Sequence, residues 1–325
     1  MELCVYFPNL KALENIEEAL HPIEYRNRPQ TIIMAFFEDI TSSEYYSNLV
    51  ALRHLQDYLP QEINFSRLYF GQEFCEYLIP TVDELTQAYY ITQQLGWNFT
   101  YVTGYLTDAG IEKVRKNLEF LKSCGKEIEV VVNDWGLLSL INREFLGLHP
   151  VLGRLLIKQM RLARFAFSPP PINMKGIDTS FEEIAKNQQR AVRKLNLSIS
   201  SYREELKHLG IKRAELDIVP QGVDIEPNAW GISFSCYYPW AYITGGRNCS
   251  TAAIDNPLRE YVVIDEPCSR PCQRLNRASH DIKHFPVPIL QRGNSVFAFT
   301  CEYAYPYLRG DISVDRLIFE PYIPI

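Results

Sequence analysis

Apolar runs of strand length alternate along the chain with stretches of helical period, and both are broken by glycine and capping residues. Residues 3–7 form a short apolar strand, followed by a helical stretch over 10–20. Residues 31–37 (TIIMAFF) are a continuous apolar run with β-branched members, and periodicity allows a buried strand or a helix start. Helical spacing returns over 45–59. Residues 65–71 (FSRLYFG) are a strand ending in glycine, and Thr81-Val82-Asp83-Glu84 has the pattern of a capping box opening a helix to about Leu95. A strand over 97–103 precedes a helix over 107–124, with Asp108 as a candidate cap and Gly125 as the stop signal. Residues 127–133 (EIEVVVN) are the clearest strand, and their continuous apolar character suits burial on both faces.

A further strand is expected over 148–155. Residues 168–181 (SPPPINMKGIDTSF) read as a linker or long loop, and a helix from 181 or 191 runs to Leu209 before Gly210. Strands follow over 213–219 and 231–236. Counting 31–37, this makes eight strands separated by helices, which points to an α/β fold: a (β/α)8 TIM-like barrel, with allowance for distortion. The barrel is expected to span 1–248. Residues 249–325 differ in character, with loops, cysteines and a β-hairpin (287–290 and 295–300) across Arg292-Gly293-Asn294, and are expected to form a small extension on the barrel mouth.

Composition narrows the function classes. The 325 residues are 46% hydrophobic and 22% charged, a globular balance. The net charge of −6 argues against a protein that coats nucleic acid, although a tRNA substrate stays open. No run approaches the roughly 20 apolar residues of a membrane span, and the first residues lack the basic and long apolar regions of a signal peptide. The expected location is cytoplasmic. Reduced thiols are the rule there, so eight cysteines need another explanation than disulfides.

Cys268-Ser-Arg-Pro-Cys272 is the most informative pair, because a C-x3-C loop lets two thiolates converge with little chain strain. Cys249 follows the turn Gly245-Gly246-Arg247-Asn248, and Cys75 follows the FSRLYFG strand at what would be the barrel rim. Four thiolates from Cys75, Cys249, Cys268 and Cys272 suit a [4Fe–4S] cluster or a structural zinc, and spacing alone does not choose. Cys301 and Cys236 end β-prone runs and are the alternates for one ligand. Cys4 and Cys124 read as packing residues. A radical-SAM signature would need a cysteine where Leu275 stands.

Other chemistry is thin. The histidines form no close ligand pair, and neither a G-x-S-x-G elbow nor a P-loop is present. Asn133-Asp134 closes the EIEVVV strand, where Asp134 is a candidate catalytic carboxylate or a helix cap. Arg154 and Arg247 are candidate clamps for a carboxylate ligand. The aromatic stretch 234–242 would roof a pocket or pack a core.

The segments FSRLYFGQEFC (65–75), EVVVNDWGLL (129–138), LKHLGIKRAELD (206–217), AYITGGRNC (241–249) and the C-x3-C at 268–272 together resemble the peptidase family U-32, the collagenase-like peptidases. The similarity is greatest to the iron–sulfur subunits of oxygen-independent ubiquinone-biosynthesis hydroxylation. The resemblance implies a barrel whose Cys75, Cys249, Cys268 and Cys272 hold a [4Fe–4S] cluster. It also implies oxygen-independent hydroxylation of a small molecule or a tRNA base, with prephenate as oxygen donor, and a second U-32-like barrel as heterodimeric partner. Peptidase activity, from the family name, and a non-catalytic metal-stapled scaffold are the alternatives.

Overall fold

The computed structural model describes residues 1–21, 40–125, 127–161, 181–264, 266–278 and 289–325. Among them are twelve strands: β1 (Glu2–Phe7), β2 (Phe65–Gln72), β3 (Asn98–Thr103), β4 (Ile128–Val132), β5 (Leu148–Leu152), β6 (Arg213–Asp217), β7 (Ser233–Tyr238), β8 (Trp240–Gly245), β9 (Asn276–Ala278), β10 (Ile289–Arg292), β11 (Ser295–Phe299) and β12 (Arg316–Phe319). Eight close into a barrel in the order β1-β12-β7-β6-β5-β4-β3-β2, every pair parallel. The TIM-like architecture expected from the alternation is the one adopted.

The period of two along each strand explains why the barrel closes. Outward residues such as Val5, Leu68, Phe70, Val130 and Val132 join the large core shared with the helices. The residues between them, including Cys4, Tyr6, Tyr69, Val131 and Tyr237, form a separate cluster inside the barrel. Both faces are therefore dry, as a parallel sheet requires. Helices Val82–Gln94, Asp108–Ser123 and Trp135–Glu144 cross between successive strands from β2 to β5. The capping box at Thr81 and Glu84 forms as expected. At the next helix Thr107, not Asp108, supplies the cap by accepting from the Gly110 N–H.

The eighth strand is the main correction to the sequence reading. Residues 31–37 and 168–180 lie outside the described residues, and among the described strands β1 pairs directly with β2 on one side and β12 on the other. Residues 316–319, which the sequence reading assigned to the extension, are the eighth barrel strand. The chain thus leaves the barrel after β7, builds a four-stranded sheet in the order β8-β11-β10-β9, and returns to close it. The sheet pairs are antiparallel, and β10 and β11 are joined by the two-residue turn Gly293-Asn294. At the N-terminal end of the barrel, Arg316 pairs with Glu2 and Glu129 at 2.7 and 2.6 Å, so β12 is also held by charge. Among the described residues no helix is long and apolar enough to cross a membrane.

Candidate metal centre at the barrel mouth

Cys75, Cys249, Cys268 and Cys272 line one pocket. Each arrives on a segment placed by a different part of the fold. Cys75 lies three residues beyond β2, past Gly71, whose φ of +135° lets the strand run so close to β3 that a Cβ there would stand 2.2 Å from the Val102 carbonyl. Cys249 follows β8, and its N–H bonds the Arg259 carbonyl at 3.0 Å. Cys268 and Cys272 sit on either side of Arg270, whose left-handed backbone (φ 59°, ψ 49°) folds the loop back on itself.

The hairpin tip holds these segments together. The Asn294 amide donates to the Phe74 carbonyl at 2.8 Å, one residue before Cys75, and to the Tyr105 hydroxyl at 3.2 Å. Gly293, also left-handed at φ +60°, lies so close to Cys272 that an added Cβ would stand 3.4 Å from the Cys272 Cβ. Arg292 donates to the Cys272 carbonyl at 3.1 Å, and Thr251 bonds the Gly293 carbonyl at 3.0 Å. Phe74 stacks on Tyr242 and meets Phe297 edge-on, which seats the inserted sheet on the barrel.

Every one of the four sulfurs faces a hydrogen-bond donor. The backbone N–H of Ala252 points at Cys249 Sγ and that of Arg270 at Cys268 Sγ, both at 3.4 Å, and the Gln273 side chain reaches Cys272 Sγ at 3.7 Å. The Tyr77 backbone does the same for Cys75. As free thiols, Cys75, Cys249 and Cys272 resist ionisation. Burial pushes Cys75 up to about 12, with the other three sulfurs adding repulsion, and burial also raises Cys249 and Cys272. Arg259 and Arg292 act against that rise at Cys249 and Cys272 respectively. Among the described residues no three His, Cys, Asp or Glu side chains stand close enough to hold a single metal ion.

The alternates do not line this pocket. Cys301 is buried, 2.9 Å from the Tyr238 hydroxyl, and Cys236 faces the helix-packed core. Cys4 lies inside the barrel, and Cys124 caps the helix Asp108–Ser123.

The other sequence candidates separate. Arg247 lines the thiol pocket, with Nη2 bonding the Leu106 carbonyl at 2.9 Å. Asp134 is a cap: one oxygen accepts from Leu137 N–H at 3.1 Å and the other from Leu106 N–H at 3.3 Å. Arg154 is 0% exposed and pairs with Glu73, Asp217 and Glu320 at 2.8 to 2.9 Å, so its guanidinium is not offered to an external ligand. Arg161 also binds Asp217, at 2.5 Å. Burial raises Glu320 well above the usual carboxylate range, against the pull of Arg154, and its Oε2 finds no partner among the described residues. Sequence reasoning missed this network because its acids lie at the ends of β2, β6 and β12, far apart along the chain. A scan against protein-family models, a search of curated proteins and a search of solved structures each gave no match to this chain.

Proposed function

We propose that the protein carries a [4Fe–4S] cluster on Cys75, Cys249, Cys268 and Cys272 and catalyses or supports an oxygen-independent hydroxylation, as a relative of the U-32 peptidase-like proteins. The observation that carries the cluster is the convergence of four thiols on one pocket, each sulfur with an N–H donor. Such donors stabilise thiolate charge, and together with solvent exposure they set a cluster's reduction potential. Bound there, the cluster would supply one-electron chemistry at the barrel mouth, where the fold places its functional loops.

Four thiolates suit a cluster or zinc, and the preference for the cluster follows from the sequence resemblance. Zinc–thiolate bonds of about 2.3 Å in a tetrahedron put sulfurs within roughly 4 Å of one another. Four irons between the thiolates and the inorganic sulfides spread the sulfurs further apart. About 40 Å³ of free space lies between the residues that line the pocket, against the ~10–15 Å³ that one water needs. The cluster and its thiolates carry net negative charge, and Arg247, Arg259 and Arg270 line the same pocket.

Hydroxylation, a prephenate donor and a second barrel as partner follow from the sequence resemblance. Anaerobic purification with iron and acid-labile sulfide determination tests the cluster. The expected result is a brown protein with about four of each per chain. A colourless protein with stoichiometric zinc and no sulfide would overturn it. Comparison of hydroxylated metabolites and tRNA bases in oxygen-free cells with and without the gene tests the reaction, and unchanged profiles would remove it.

A further inference from the structure

The segment between Cys249 and Cys268 reverses the usual order of polar and apolar side chains. Across the 3-10 turns Ala252–Ile254 and Pro257–Glu260 and the residues that follow, Arg259 is the buried one, donating to the Glu266 and Pro267 carbonyls at 2.9 Å each. Ile254, Leu258, Tyr261, Val262 and Val263 around it are 50% to 73% exposed. The Leu258 carbonyl accepts from the Tyr261 and Val262 N–H groups at 3.0 Å, so these residues share one tight turn. That turn is fastened from outside. The Asn248 amide donates to the Tyr261 carbonyl at 3.1 Å and the Tyr77 hydroxyl to the Ile264 carbonyl at 2.7 Å. A tied backbone therefore presents these apolar side chains to solvent.

Scattered exposed apolar residues are ordinary, but five such side chains between 254 and 263 make a patch. At these exposures they present on the order of 500 Å², near the upper limit of what a monomeric protein leaves uncovered. Two such faces meeting remove about 1,000 Å² from water, the size at which specific interfaces begin. Charge selects the occupant. Asp255 accepts from the Ser269 hydroxyl, which brings the C-x3-C turn against the patch. The rim then carries both signs, with Asp255 and Glu260 exposed beside the 3-10 turns and Arg274 exposed beyond Cys272. An anionic membrane or a nucleic acid calls for a uniformly basic rim. A rim of mixed sign suits a face that meets itself about a two-fold axis, because each sign then has its opposite on the other copy.

We propose that this face is the contact between two copies of the chain, with Leu258 and Tyr261 as its apolar anchors. Val262 and Val263 also line the thiol pocket, so the second copy covers the outer side of that pocket. The association does not rest on the cluster reading.

The test is sedimentation equilibrium of the anaerobically purified full chain from about 1 to 100 μM, with iron and sulfide measured in the same samples. The parent is expected as a dimer whose dissociation constant lies in about the micromolar range or tighter. Leu258→Glu and Tyr261→Asp each raise that constant about tenfold or more, as loss of an interface anchor does. Leu146→Glu, at a position 81% exposed just before β5 and so at the opposite end of the barrel, leaves it unchanged. All three positions are exposed, so the variants keep the parent's circular dichroism. A parent that stays monomeric at about 100 μM overturns the interface whatever its iron content, and leaves the face to a different chain. A dimer that Leu258→Glu and Tyr261→Asp leave intact overturns it too. A dimer of iron-free, zinc-free protein sensitive to both substitutions keeps the interface and removes the cluster.

Discussion

Arg154 Nη2 and Glu320 Oε1 stand 2.8 Å apart, and neither side chain is exposed to solvent. The pair ties the loop after β5 to the residue just past β12, across the mouth of the barrel. It also links an arginine that sequence reasoning offered as a ligand clamp to a strand that sequence reasoning did not place.

Arg154→Met is therefore expected to act on stability. It strands the Glu73, Asp217 and Glu320 carboxyls without their shared cation, and breaking a buried pair from one side costs roughly 3–5 kcal/mol. Urea denaturation of the variant against the parent checks this. A change under about 1 kcal/mol, the size of an exposed pair, would mean that the network contributes little.

Glu215 gives a pH dependence. Burial pushes its carboxyl up to about 8, with the charge of Glu73 adding to the rise and the bond from the Tyr237 hydroxyl opposing it. The folded state then holds a proton that the unfolded chain releases near 4.5. The stabilisation from the neutral acid is complete below that value and is lost as pH rises through about 8. One such proton changes stability by about 1.4 kcal/mol per pH unit inside the window. Urea midpoints of the parent should fall from pH 5 to pH 8, and Glu215→Gln should lack that share of the fall. Parallel curves for the two proteins would contradict it.

Serine at Cys75, Cys249, Cys268 or Cys272 should each lower bound iron and sulfide to under about half of the parent value, since a cubane needs four protein ligands. Cys236→Ala and Cys301→Ser should leave the iron content unchanged, because neither residue lines the pocket. Iron and sulfide assays on anaerobic preparations read both outcomes.

Deletion of residues 316–325 should abolish cooperative unfolding. The cut removes a strand buried at all four positions and leaves β1 and β7 as open edges. Circular dichroism during thermal denaturation distinguishes this from the mild loss expected of a trimmed surface tail.

The alternation of apolar runs and helical periods was enough to specify the barrel, because a parallel sheet buried on both faces demands long apolar strands, and residues 65–71 and 127–133 meet that demand locally. The cysteine quartet could be read in the same way, from C-x3-C and from Cys75 at a strand's end. Closure of the barrel was not local. Arg316–Phe319 is a four-residue strand that follows a long insertion, while the apolar run at 31–37 looked like a better strand on its own. Only pairing with β1 and β7 shows which segment fills the gap. Asp134 and Arg154 show the same limit, since a carboxylate at a strand's end serves equally as a cap or a catalyst, and an arginine serves as a clamp or an internal counterion. Which it becomes depends on groups that approach from distant parts of the chain: the Leu106 and Leu137 N–H groups for Asp134, and Glu73, Asp217 and Glu320 for Arg154. Residue type and spacing set what a side chain is able to do, while burial and neighbours, which exist only after folding, set what it does.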